Sequence, residues 1–532
     1  MRIVTGLAAS GKTSMLLREI AEKAEANRGR QILLVPELNS HQMERRLAAA
    51  THNHGARTAE VLTFSRLADR VFAVVGGLAQ QMLTPAGQLL TLQEAARRVQ
   101  VGLTAWSGLA DKPELLSETL ALIDECKSCM IEPEMLFRAS EESALDEDAA
   151  LSAKLCDLAQ ILTQYDSLCE ETLPDPRDRL THLRDGLAES HVLDGAEVYL
   201  DGFLSYTPQE LAIIEVMLSS GVPLTAAVTC DVELPDVFVT GCRTLRTLTR
   251  MAERCSRRPE LVDLGAGKMP RPAGLAAVAN EALLPVRQAH EDASGVRLYE
   301  AASPFDECEH AAAYIRRKVR DEGAHFRDFV IAARDIGPYS ASLAMAMGRY
   351  DIPMFLADKP DLLSRPPMAL VIGALESVRS NFGCRELFGC LKTGLTGLAW
   401  DEIDRLENYA ITWKIHGAAW ERDWVEHPDG YGIPVDEAAQ AQLDELTELR
   451  ARAIAPFAAL RERLKGEQPS AECVRALYDF LLAVDAPRRM EERAAEHDAA
   501  GRLQLADEYR QLWEILVSAM EQFAWVRGDM PL

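Results

Sequence analysis

The stretch Gly6-Leu7-Ala8-Ala9-Ser10-Gly11-Lys12-Thr13 constrains this chain more than any other, because it satisfies G-x-x-x-x-G-K-[ST] at every defined position. Such a loop needs a strand before it and a helix after it. Met1 to Thr5 is a short apolar run suited to a buried strand, and Met15, Leu16 and Ile20 recur at helical spacing. Gly6 and Gly11 let backbone N–H groups wrap phosphate oxygens, and the helix end adds positive potential. Ser10 belongs to the same cradle, Lys12 is the cation for the β and γ charges, and Thr13 is the hydroxyl for Mg2+. ATP with Mg2+ is therefore the expected cofactor pair.

Strand, helix, strand continues with Gln31 to Val35 and a third strand-like piece at Leu62, the rhythm of a parallel sheet. From Thr84 the pattern turns to long Leu, Ala and Glu-rich helical repeats, and compact apolar runs return at Glu197 to Leu200 and Leu224 to Thr229. The fold class expected is α/β with two RecA-like parallel-sheet domains, each bearing a large helical insertion. Residues 1–83 plus 190–264 would form the first, interrupted by the insertion 84–189. A Gly, Pro and Ala-rich linker would fill 265–295. The second would begin at 296–380, with strands at Val296 to Tyr299, Phe329 to Ala332 and Ile352 to Leu356, and an incomplete helical insertion at 381–532 would follow.

Nucleotide hydrolysis also needs an acid at a strand end to organise the metal and a base to orient water. Asp201, closing Val198-Tyr199-Leu200, is the expected metal partner beside Thr13. The next residues, Gly202, Phe203 and Leu204, carry no group that could orient a water. Nucleotide binding without efficient hydrolysis is the result, unless Glu37 or Glu210 reaches in. Gly265-Ala266-Gly267-Lys268 resembles a second loop but lacks its first glycine and its hydroxyl, so it reads as a linker turn.

The chain has 57 Lys plus Arg against 82 Asp plus Glu, a net charge of -25 that repels polyanions on average, so any DNA contact must be local or shared with a partner. The clusters Arg316, Arg317, Lys318, Arg320 and Arg254, Arg257, Arg258 read as solvated helix faces. Eleven scattered cysteines show neither disulfide nor zinc spacing, Cys126 and Cys129 included. With no signal-peptide core and no apolar run able to span a bilayer, the expected location is the cytoplasm, without membrane association.

Leu34-Val35-Pro36-Glu37, Thr63-Phe64-Ser65-Arg66-Leu67 and Leu200-Asp201-Gly202-Phe203 followed by Thr207-Pro208-Gln209-Glu210 stand in series after the loop. Together they resemble the B subunit of AddAB-type helicase-nucleases, relatives of superfamily I helicases. The resemblance implies a protein that acts on DNA ends beside an AddA-like helicase-nuclease partner, scanning single-stranded and duplex-end DNA for a regulatory sequence. It implies that Arg334 senses the γ-phosphate and that Thr63 and Ser65 touch the DNA backbone. It also implies a nuclease domain with an iron-sulfur cluster in the full-length protein, outside these residues. Gly202 and Leu204 stand where the helicases carry Glu and Gln, and Cys230-Asp231-Val232-Glu233 lacks the Gln of their third motif. An active superfamily I motor and a P-loop small-molecule kinase are the competing readings.

Overall fold

A computed structural model describes residues 1–52, 58–146, 148–265, 271–281, 288–356 and 362–528 of the chain. It divides into two compact units, Met1–Met269 with Leu370–Leu532, and Pro270–Ala369.

In the first unit the chain opens as β1 (Arg2–Gly6), α1 (Lys12–Glu25), β2 (Arg30–Leu34), α2 (Ser40–Ala50), β3 (Ala59–Leu62) and α3 (Phe64–Val75). Five helices follow, α4 (Pro85–Val99), α5 (Pro113–Ser128), α6 (Pro133–Leu145), α7 (Ala149–Glu171) and α8 (Arg179–Ser190). The chain then resumes β4 (Ala196–Leu200), α9 (Pro208–Ser219), β5 (Leu224–Thr229), α10 (Val239–Arg254) and β6 (Glu260–Asp263). The six strands form one parallel sheet in the order β3-β2-β4-β5-β1-β6. The strands β4 and β5, which come after the helical excursion, thus fill the middle between β2 and β1.

Strand side chains alternate between faces, and both faces are covered, which is why β1, β2, β4 and β5 are nearly uninterrupted apolar runs. Ile3, Ile32, Val198, Leu200, Ala226 and Val228 pack against residues of α3, α9 and α10. Val4, Leu33, Tyr199 and Ala227 face Leu16, Leu17 and Ile20 of α1 and Met43 and Leu47 of α2. β6 went unexpected from sequence because it is a short, largely exposed edge strand, Glu-Leu-Val-Asp, with no buried alternation.

The excursion α4–α8 has its own core around Leu92, Ile123, Ile161, Leu162 and Tyr165. After α11 (Ala273–Glu281), α12 (Pro304–Glu322) and α13 (Ser340–Arg349), the regular elements among the described residues are helices: α14 (Pro366–Arg379), α15 (Cys384–Leu391), α16 (Trp400–Thr412), α17 (Glu437–Arg463), α18 (Ser470–Ala483), α19 (Ala486–Ala499) and α20 (Leu503–Arg527). α20 joins the excursion, since Val526 is buried in its core and Gln522 Oε1 accepts from the Thr84 N–H at 2.8 Å and its hydroxyl at 2.5 Å.

The second unit departs from expectation. The segments 296–299, 329–332 and 352–356 carry no strand ladder, although α12 and α13 stand between them where helices were expected. Leu298, Val330 and Phe355 are almost fully exposed. A strand needs a neighbour to hydrogen-bond with, and among the described residues none pairs with these segments. The stretch 265–295 also differs from a plain linker, because α11 forms within it and Gly265 belongs to the first unit.

Candidate functional site

The loop between β1 and α1 sits at the C-terminal edge of the parallel sheet. Its backbone explains its glycines. Gly6 has φ +152, and a Cβ there would lie 2.6 Å from Ser10 Oγ, so this position admits no side chain. Gly11 has φ +97 with open space around it, so conformation alone selects glycine there. The Ser10 N–H donates to the Leu7 carbonyl at 3.1 Å, and Met15 N–H to the Gly11 carbonyl at 2.9 Å as the helix begins.

Lys12 is buried, and its ammonium donates to the carbonyls of Gly6 and Leu7 at 2.8 Å each and approaches Ser10 Oγ at 3.5 Å. Burial pulls its pKa below the ordinary lysine value, opposed by the carboxylate of Asp201. Asp201 is itself buried just past the end of β4, with β5 lying between β4 and β1. Desolvation raises its pKa, against the lowering influence of the Thr13 hydroxyl, the Gly202 N–H, Arg46 and Lys12. Its Oδ2 is buried with no hydrogen-bond partner. An orphaned carboxylate oxygen facing a threonine hydroxyl is the donor set a Mg2+ ion takes beside a bound triphosphate, so Thr13 and Asp201 fit that ion. No group of three or more His, Cys, Asp or Glu side chains able to hold a metal by themselves occurs among the described residues, Cys126 and Cys129 included.

The structure brings Gly6, Ser10, Gly11, Lys12, Thr13 and Asp201 together. Gly202 cannot be read as a simple loss of an acid. Its φ is +83, and a Cβ would lie 3.2 Å from Asn39 Nδ2 and 3.3 Å from Pro36 Cδ. Of the alternative bases, Glu210 is held in the first turn of α9, where its Oε2 accepts from the Thr207 N–H at 2.8 Å in a capping box. Glu37 is exposed on the turn after β2, on the side of Arg66. Thr63 is the buried N-cap of α3 and accepts from the Arg66 N–H at 3.2 Å, whereas Ser65 is exposed on that helix's first turn. Arg334 belongs to the second unit and is exposed, and Asp335 turns its carboxylate to the Gly337 N–H instead of pairing with it.

Two neighbours of the loop escaped sequence reasoning. Cys230, just beyond β5, bridges to Gly6, and burial pushes its thiol up to about 11. Gly265, which the sequence places in a linker turn, accepts from the Leu7 N–H at 3.1 Å; 266–268 of that turn lie outside the described residues. Only the pairing of β6 with β1 brings Gly265 here, and that pairing leaves no trace in local sequence.

Fold and site together define a class, parallel α/β proteins in which a glycine-rich loop joins the first strand to the first helix and an acidic side chain from a strand two places away faces it. The family model described as "ADDB, N-terminal" matches residues 3–268, half of the chain, and the chain belongs to that family. Proteins named as the B subunit of an ATP-dependent helicase/deoxyribonuclease are similar along almost all of it. That of Acetivibrio thermocellus is 30% identical over 99% of this chain and 47% of its own length. Those of Symbiobacterium thermophilum and Desulforudis audaxviator are 31% and 32% identical over 100% of this chain and 48% of their own lengths. The chain spans about half the length of the curated relatives it matches. No described helix is long and apolar enough to cross a membrane.

Proposed function

We propose that this chain is the nucleotide-binding portion of the B subunit of an ATP-dependent helicase and deoxyribonuclease that resects DNA ends, and that it binds Mg·ATP while hydrolysing it poorly. The relatives' names support the first part, and the observation that carries the second is Asp201 facing Thr13 with Gly202 beside it. When bound, Mg2+ would neutralise charge on the β and γ phosphates. The chain's own residues do the rest. The N–H groups from Ser10 to Thr13 hold the β-phosphate oxygens, and Lys12 exchanges its two carbonyl partners for phosphate. Thr13 and Asp201 would hold the metal. Neither of the two glutamates weighed as a base supports hydrolysis, because Glu210 is engaged in a cap and Glu37 faces solvent.

In this reading the second unit is the start of a second RecA-like sheet, completed by strands from later in the full-length protein, and Arg334 reads the γ-phosphate from it. Ser65 and the edge around it serve the DNA backbone, an AddA-like partner supplies translocation, and the protein scans DNA in the cytoplasm. The iron-sulfur nuclease domain belongs to the remainder of the full-length protein. The test is ATP turnover with single-stranded DNA by that full-length protein. Turnover should be at background level and unchanged by Lys12→Ala; robust DNA-stimulated turnover abolished by Lys12→Ala would show an active motor instead.

A further inference from the structure

One peptide unit, Gly6–Leu7, is gripped from both sides. Its carbonyl, Gly6 O, accepts from the Lys12 ammonium at 2.8 Å, and its N–H, on Leu7, donates to the Gly265 carbonyl at 3.1 Å. Gly265 is itself stapled in place. Asp263 Oδ1 accepts from the Thr5 hydroxyl at 3.0 Å and from the Gly265 N–H at 3.1 Å, and the Leu264 N–H donates to the Thr5 carbonyl at 2.9 Å. Contact is close enough that a Cβ on Gly6 would lie 3.1 Å from the Gly265 oxygen, and Gly265 turns the chain with φ +57. The last turn of the sheet domain, where the chain leaves β6, is therefore hydrogen-bonded to the phosphate loop.

A cation on an amide oxygen polarises the amide and strengthens the bond its N–H donates. While Lys12 rests on Gly6 O, the Leu7 N–H holds Gly265 more tightly. A triphosphate takes the ammonium away from that oxygen and leaves the N–H a weaker donor. We propose that Lys12, the Gly6–Leu7 peptide and Gly265 form a nucleotide-sensitive latch, in which binding of a nucleoside triphosphate loosens the exit of the chain from β6. Asp263 is the positioning residue that keeps the latch aligned. The proposal rests on the nucleotide site proposed above and deepens it, because it gives bound nucleotide an effect that needs no hydrolysis.

Hydrogen exchange on the full-length protein assembled with its partner, with and without a non-hydrolysable ATP analogue and Mg2+, tests this. Exchange should slow at Ser10 to Thr13 while it quickens about fivefold at Leu264 and Gly265. Lys12→Ala should show the quickened exchange at Leu264 and Gly265 without nucleotide, and Asp263→Ala should show it in every condition. Protection of Ser10 to Thr13 with unchanged exchange at 264 and 265 would overturn the latch and leave the nucleotide site standing. No protection at Ser10 to Thr13 would overturn the site and the latch with it.

Discussion

Burial raises the affinity of the Asp201 carboxylate for a proton. With a folded pKa above the unfolded one, the stability drawn from this group is present at low pH and is lost as pH rises through the raised pKa. At neutral pH its ionised form is held at a cost, so Asp201→Asn should raise the melting temperature by about 2 °C while weakening Mg·ATP binding about tenfold. Protons and Mg2+ compete for the same oxygen, so affinity for Mg·ATP should fall with pH sooner than an ordinary aspartate would require. Calorimetric titrations across pH check both, and a destabilised Asp201→Asn would contradict the orphaned oxygen. Gly202→Glu should not create a hydrolase. A side chain at φ +83 costs about 1 kcal/mol or more and must displace Asn39 or Pro36, so a lowered melting temperature and unchanged turnover are expected. The loop residues and Asp201 were legible because their chemistry is tied to a spacing. Cys230 and Gly265 were not, since each reaches the loop only through strand pairing.

At the scale of elements, periodicity revealed β1, β2, β4, β5 and the helical excursion, because two-sided burial writes long apolar runs into strands and helical spacing into α4 to α8, but it started the third strand at Leu62, where β3 in fact ends. It missed β6, whose residues are mostly exposed. It also read strands into 296–299, 329–332 and 352–356, where the side chains suit a sheet but the ladder is missing. Strand formation depends on partners, and apolar sequence alone does not supply them. The docking of α20 on α4 was equally invisible. Gln522 satisfies the Thr84 N–H and hydroxyl at the start of α4, and a Cβ on Gly87 would collide with its amide, so glycine there makes room for the contact. Gln522→Ala should destabilise the helical excursion by about 1–2 kcal/mol by leaving those donors unpaired, read as faster proteolysis within 84–189. Equal proteolysis of variant and parent would mean the contact contributes nothing.

For the molecule as a whole, a net charge of -25 disfavours broad contact with a polyanion, which suits the proposed role of a subunit that holds nucleotide and shares its DNA contacts with a partner. The sheet of the first unit was legible in sequence, down to its return after the helical excursion, whereas the membership of Leu370–Leu532 in that unit was not, because the sequence reading attached 381–532 to the second domain. The central claim is that this loop retains a triphosphate without cleaving it. Calorimetric titration of the full-length protein with ATP and Mg2+, followed by analysis of the recovered nucleotide, tests it most directly. Saturable binding that Lys12→Ala abolishes, with the nucleotide recovered as ATP, is the expected result; absence of binding by folded protein, or recovery as ADP, would contradict it.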